Sequence, residues 1–128
     1  MAEKIDKWTD AILQITNLTR SGKLVWGAIS PNISMKRDPE DRVEVAFETV
    51  YKEKKLVLFR RAREMSSMLS PFNNQRWERE TVLALADEFN QVQWAFPATD
   101  ASEGLLSAVQ YKMAGVREFV DAVLADPS

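Results

Sequence analysis

A chain of 128 residues with 45% apolar and 28% charged side chains, four Trp and six Phe is long enough to bury roughly two thirds of its unfolded surface. It is expected to fold as a single domain, residues 1–128, without disulfide or metal staples. The absence of Cys and His excludes thiol nucleophiles, imidazole bases and the usual ligands of zinc, copper and haem, so no metal or cofactor is expected. The net charge of −2 is unevenly spread: seven bases meet eight acids in residues 1–51, eight bases meet three acids in 52–79, and two bases meet eight acids in 80–128.

The first element is a helix. From Glu3 to Arg20 the residues Ile5, Trp8, Ile12, Ile15 and Leu18 or Thr19 recur at spacings of three and four, which places them on one helical face. Ser21-Gly22 then supplies a residue tolerant of positive φ just past the helix end, with Arg20 at the negative end of the dipole. The apolar run Lys23–Ser30 reads as a first strand closed by Pro31-Asn32. Residues 31–42, with two prolines and no periodicity, read as a loop. A period of two from Val43 to Tyr51 gives the second strand, residues 52–55 the turn, and Lys55–Arg63 the third strand.

Residues 64–79 read as a long loop carrying Met65, Met68, Leu69, Phe72 and Trp77 among polar residues. The fourth strand is expected over residues 80–87, a turn over Asp87–Gln91, and a fifth strand with Val92, Trp94 and Phe96 on one face, ended by Pro97. A final helix starts at Asp100, read as a cap paired with Glu103 in a capping box, and keeps a three-four rhythm through Leu106, Val109, Met113, Val116, Val120 and Val123. Gly115 interrupts that rhythm at a cost of about 1 kcal/mol relative to Ala; a kink or the close approach of another backbone would explain it. The order helix, five strands, helix predicts an α+β fold: an antiparallel meander with both helices on one face, a two-layer sandwich. Sequential hairpin pairing follows from the short turns.

The segments Leu18–Trp26 and Trp94–Leu124 together resemble a set of small bacterial cytosolic proteins with no assigned activity. The resemblance rests on Ser21, Gly22, Lys23, Leu24 and Trp26, then Trp94, Phe96 and Pro97, then Ala114, Gly115, Val116 and Phe119. It implies the same helix, meander, helix arrangement and no particular function. A cytoplasmic location is expected, because "MAEKIDKWTD" lacks the apolar run of a secretory signal and no stretch is long enough to span a bilayer.

Two surfaces carry the functional expectations. Residues 64–79 combine the residue types of binding hot spots: Phe72 and Trp77 are read as anchors, with Arg60, Arg76 and Arg79 meeting acidic groups on a protein partner. Alternatively Met65, Leu69 and Phe72 fold back as a lid over the sheet. The basic hairpin Lys52, Lys54, Lys55, Arg60, Arg61 and Arg63 is a second surface, suited to phosphates. Strand alternation sends Arg60 and Arg61 to opposite faces, which works against a continuous patch. The acids Asp38, Glu40 and Asp41, or Asp87 and Glu88, have no calcium-loop spacing and read as solubilising. Trp8, Trp26 and Trp94 read as core. Gly22, Gly27, Gly104 and Gly115 are too scattered for a phosphate-cradling loop.

By elimination, the expected function is non-catalytic binding of a macromolecular partner, as an inhibitor, immunity-type or accessory factor. Two alternatives stay open: a nucleic-acid module using the hairpin 52–63, and a small-molecule-binding domain. Oligomeric state is open too, a homodimer through the last helix following if Gly115 marks a close helix crossing.

Overall fold

The computed structural model describes residues 3–66 and 75–127, and the side chains of 7–64 and 77–127. Its elements in chain order are α1 (Glu3–Arg20), β1 (Gly27–Ala28), β2 (Arg42–Tyr51), β3 (Lys54–Ser66), β4 (Gln75–Ala86), β5 (Val92–Ala95), α2 (Asp100–Met113) and α3 (Val116–Ala125). The fold is α+β, and the five strands form one antiparallel sheet in the order β1-β2-β3-β4-β5, the sequential meander expected. The chain divides into two compact units, residues 1–27 with 99–128, and residues 28–98. No helix of the described residues is long and apolar enough to cross a membrane.

In the helical unit α1 packs along α2. The buried residues of α1, Ile12, Ile15, Thr16 and Thr19, follow the expected face, and Leu105, Leu106, Ala108 and Val109 supply the apolar stripe of α2. Thr16 and Thr19 are accommodated because their hydroxyls donate to the carbonyls of Ile12 and Ile15, each at 2.8 Å, and so satisfy their own hydrogen bonds inside the helix. The chain leaves α1 through Gly22 at φ +78°, and the N–H groups of Lys23 and Leu24 donate back to the Leu18 carbonyl.

The first strand is much shorter than the run Lys23–Ser30 implies. Leu24 and Trp26 are 6% and 5% exposed and share a small cavity wall with Thr19 and Val109, while the Trp26 indole N–H donates to the Thr19 hydroxyl at 2.9 Å. These apolar residues serve the helical unit, and strand pairing begins only at Gly27. A short apolar run cannot reveal which neighbour will bury it.

In the sheet unit β2 and β3 are joined by Lys52 and Glu53 alone, at φ +49° and +69°, the two positive-φ positions of a tight hairpin turn. The turn is thus shorter than residues 52–55. The β3–β4 ladder is longer than expected, running from Lys55 opposite Ala86 to Ser66 opposite Gln75. Glu64, Met65 and Ser66, and then Gln75 to Arg79, are strand and not loop. Leu56 to Phe59 is buried on both faces: Leu56 and Leu58 with Leu83 on one, Val57 and Phe59 with Ala46, Val82 and Ala84 on the other.

That second face is covered by the segment joining β1 to β2, which reads as featureless in sequence. A 3-10 turn, Ile33–Met35, drops Met35 onto it at 0% exposure. The strap is tied by Asn32 Nδ2 donating to the Asn90 carbonyl at 2.8 Å and the Val92 N–H donating to the Ser34 hydroxyl at 2.9 Å.

Three further expectations are corrected. The Asp87–Gln91 turn forms, with the Asp87 carboxylate accepting from the N–H groups of Phe89 and Gln91. A register shift follows between the pairs Leu85–Trp94 and Ala86–Val92, however, so Val92 packs on the Met35 cluster while Trp94 sits 44% exposed, edge-on to Phe96. One extra residue in a strand reverses the face of all that follow, and Trp94 is therefore not core. The cap of α2 is Thr99, with Asp100 already helical, so the capping box does not form. Finally, the last helix is two. Gly115 takes φ +64° between α2 and α3, and a Cβ built there would meet only Glu118 Oε2 at an ordinary 3.7 Å. A break explains this glycine, and no close helix crossing is needed.

Candidate functional site

Of the predicted site residues, Arg60, Arg61, Arg63, Arg76, Trp77 and Arg79 fall in the part of the β3–β4 ladder where apolar pairs give way to charge, while Lys52, Lys54 and Lys55 stand at its other end. Arg61 is opposite Glu80, Arg63 opposite Glu78, and Glu64 opposite Trp77. Cross-strand ion pairs substitute for apolar packing and let so polar a sequence continue as strand.

On the strap face, Arg61 directs Nε and a terminal nitrogen to Glu80 Oε2 at 3.1 and 3.0 Å. Arg63 Nε binds Asp41 Oδ1 at 3.1 Å, and its terminal nitrogen pairs with Asp38. Asp41 is 3% exposed, and its Oδ2 accepts from the N–H groups of Arg37 and Asp38 at 2.9 and 3.0 Å. Burial alone would raise the Asp41 pKa. The hydrogen bonds from Asp38, Arg63 and Arg37, with the charge of Arg63, outweigh it and hold the group down at about 2. The Arg63 pKa is pushed up, chiefly by its hydrogen bond to Asp41. Asp41 is thus no solubilising loop acid but the anchor of the strap. Arg37, Asp41, Arg61, Arg63, Glu78, Arg79, Glu80 and Ala98 enclose a cavity of about 360 Å³ whose arginines are largely occupied by acids of the same wall.

The opposite face carries the remaining candidates. Arg79 Nε pairs with Glu44 at 2.9 Å, and the Arg42 guanidinium lies 4.9 Å from the centre of the Trp77 ring. Trp77 is half-buried on β4, and not displayed on a mobile loop. The backbone of Arg76 lies on β4 opposite Met65; Phe72, with Leu69 and Met68, lies outside the described residues, and with it the lid alternative.

The basic hairpin does not assemble into a single surface. Lys55 pairs with Glu48 at 2.9 Å, Lys52 lies over the Tyr51 ring, and Arg61 and Arg63 are committed to Glu80, Asp38 and Asp41. Lys52 and Lys54 stand at one end of β3 and Arg63 near the other, while Arg60 shares the face of Leu58, away from Arg61. Among the described residues no group of three acidic side chains converges as a cation site would require.

The last helix, considered in the sequence only as a homodimer seam, leaves α3 as a further surface. Its apolar positions keep the expected rhythm, yet none is buried: Phe119 is 68% exposed, Val123 54% and Leu124 78%. The periodicity was visible, but a periodic stripe reports amphipathicity and not what covers it. Comparison of the chain with family models, with curated proteins and with solved structures finds no match.

Proposed function

We propose that this is a non-catalytic binding protein whose partner docks on α3. The observation that carries the reading is a ten-residue amphipathic helix with its apolar side turned to solvent. Contiguous exposed apolar side chains rimmed by polar ones mark interaction surfaces, and an amphipathic helix offered this way fits an apolar groove through anchors at i, i+3, i+4 and i+7. Here those positions are Val116, Phe119, Val120 and Val123. Glu118 and Asp121 border them, so the partner is a protein whose groove is rimmed by basic groups. The role of an inhibitor, immunity-type or accessory factor in the cytoplasm accords with this reading, which moves the docking surface from Trp77 and the β3–β4 arginines, already engaged by Arg42, Glu44 and Glu80.

The test is affinity purification of the tagged chain and of a Phe119→Ser/Leu124→Ser variant from the native cell, with and without nuclease. A stoichiometric protein recovered with the parent, resistant to nuclease and lost with the variant supports docking on α3. Retention by that variant and loss on Trp77→Ala would return the site to β4. Recovery of nucleic acid alone, released by salt, would replace the reading with phosphate binding by the hairpin 52–63.

A further inference from the structure

A different cluster of cations lies in the helical unit, and its members form no ion pair among the described residues. Arg20, the last residue of α1, Lys112 in the last turn of α2 and Arg117 in the first turn of α3 line one cleft of about 580 Å³ with Ser107, Ala108 and Tyr111. No acid lines it. Residues 80–128 hold eight acids and only two bases, and both bases stand here. In contrast to Lys55, Arg61, Arg63 and Arg79, none of the three forms an ion pair among the described residues.

Part of this charge answers the helix dipoles. The ends of α1 and α2 each contribute about half a negative charge and the start of α3 about half a positive one, leaving roughly +2.5 in the cleft. Compensation of the dipoles therefore does not exhaust three cations. Mutual repulsion of like charges around one opening makes an anion the natural occupant.

We propose that this cleft binds a small organic phosphate. Three cations exceed what one carboxylate neutralises and suit the double charge and several acceptor oxygens of a phosphoryl group, with the guanidinium forks of Arg20 and Arg117 giving direction. The Ser107 and Tyr111 hydroxyls add donors. Ala108 and the half-exposed Tyr111 ring offer an apolar wall for the body of the ligand, and the volume lies within the range of small-molecule sites. Phosphate binding here uses side chains and the α3 start, so it leaves no glycine-rich signature in the sequence.

The experiment is calorimetric titration of the full chain at low salt with ADP, inorganic pyrophosphate and adenosine. ADP is expected to bind with one site per chain, about tenfold more tightly than pyrophosphate through stacking on Tyr111, while adenosine shows no saturable binding. Arg20→Gln and Arg117→Gln are each expected to weaken ADP about tenfold, and Tyr111→Ser to bring it to the level of pyrophosphate. These side chains are exposed, so helical circular dichroism should be unchanged, and a role confined to the dipoles would lower thermal stability without any binding to lose. Absence of saturable ADP binding at millimolar concentration overturns the proposal. So does ADP binding that survives Arg20→Gln/Lys112→Gln/Arg117→Gln, or wild-type pyrophosphate binding equal to that of ADP. Displacement of ADP by a single-stranded oligonucleotide at lower concentration would assign the cleft to nucleic acid instead.

Discussion

Asp41 keeps a charge at 3% exposure because three partners more than replace water: two backbone N–H groups and the Arg63 guanidinium bond it directly, and the positive charge of that guanidinium adds to its hydrogen bond. With its folded pKa lowered to about 2, the stability it contributes is fully present above the unfolded carboxylate value near 4 and is lost as pH falls through 2. The span corresponds to roughly 2 kcal/mol. Asp41→Asn should lower stability at neutral pH by about that amount and flatten the decline between pH 4 and 2, as read by urea unfolding across that range. Thr19→Val poses a complementary case. It keeps the shape but strands the buried Trp26 indole N–H, at an expected cost of about 1–3 kcal/mol, measurable as a lowered melting midpoint in tryptophan fluorescence. In the sequence Asp38, Glu40 and Asp41 are interchangeable acids of one loop. Only the fold brings Arg63 to one of them.

Elements differ in how much of themselves they disclose. The rhythm of α1 is a local property and appears in the structure where the residues place it, whereas a bulge between Val43 and Val45 turns Val43 to the Met35 face and breaks the alternation of β2 near its start. The charged extension of β3 and β4 is not local: "RWERE" has no apolar face, and it becomes strand because Arg61 and Arg63 stand across from Glu80 and Glu78. At Gly115 the choice between a kink and a close crossing is decided by φ +64° with only an ordinary contact to the Glu118 side chain at the Cβ position. Gly115→Ala should therefore cost about 1–2 kcal/mol through backbone strain, and Gly115→Asn should cost less, since Asn tolerates that region. Chemical denaturation of the two variants measures the difference, and neither is expected to change the sedimentation coefficient.

For the molecule as a whole, burial and exposure are allotted to different elements, and the proposed function follows the exposure. Met35 and Leu58 hold the sheet unit, Ile12 and Leu106 the helical unit, while Phe119 and Leu124 hold nothing. Phe119→Ser/Leu124→Ser should accordingly leave unfolding free energy within about 0.5 kcal/mol of the parent, checked by urea denaturation, while abolishing partner recovery. The same separation applies to charge. Arg61, Arg63 and Arg79 are spent on acids of the strap and of other strands, whereas Arg20, Lys112 and Arg117 form no ion pair among the described residues.

The sequence alone determined the α+β class, the sequential meander, the ends of α1 and the turn at Asp87, because each depends on periodicity and turn chemistry within a few residues. It also excluded every reaction that requires Cys or His. Only the tertiary structure decided that Met35 is core and Trp94 is not, that Arg61 and Arg63 are neutralised, and that three cations share one cleft. Those outcomes depend on which residues from distant parts of the chain face one another, and a one-residue bulge or a single positive φ is enough to change that.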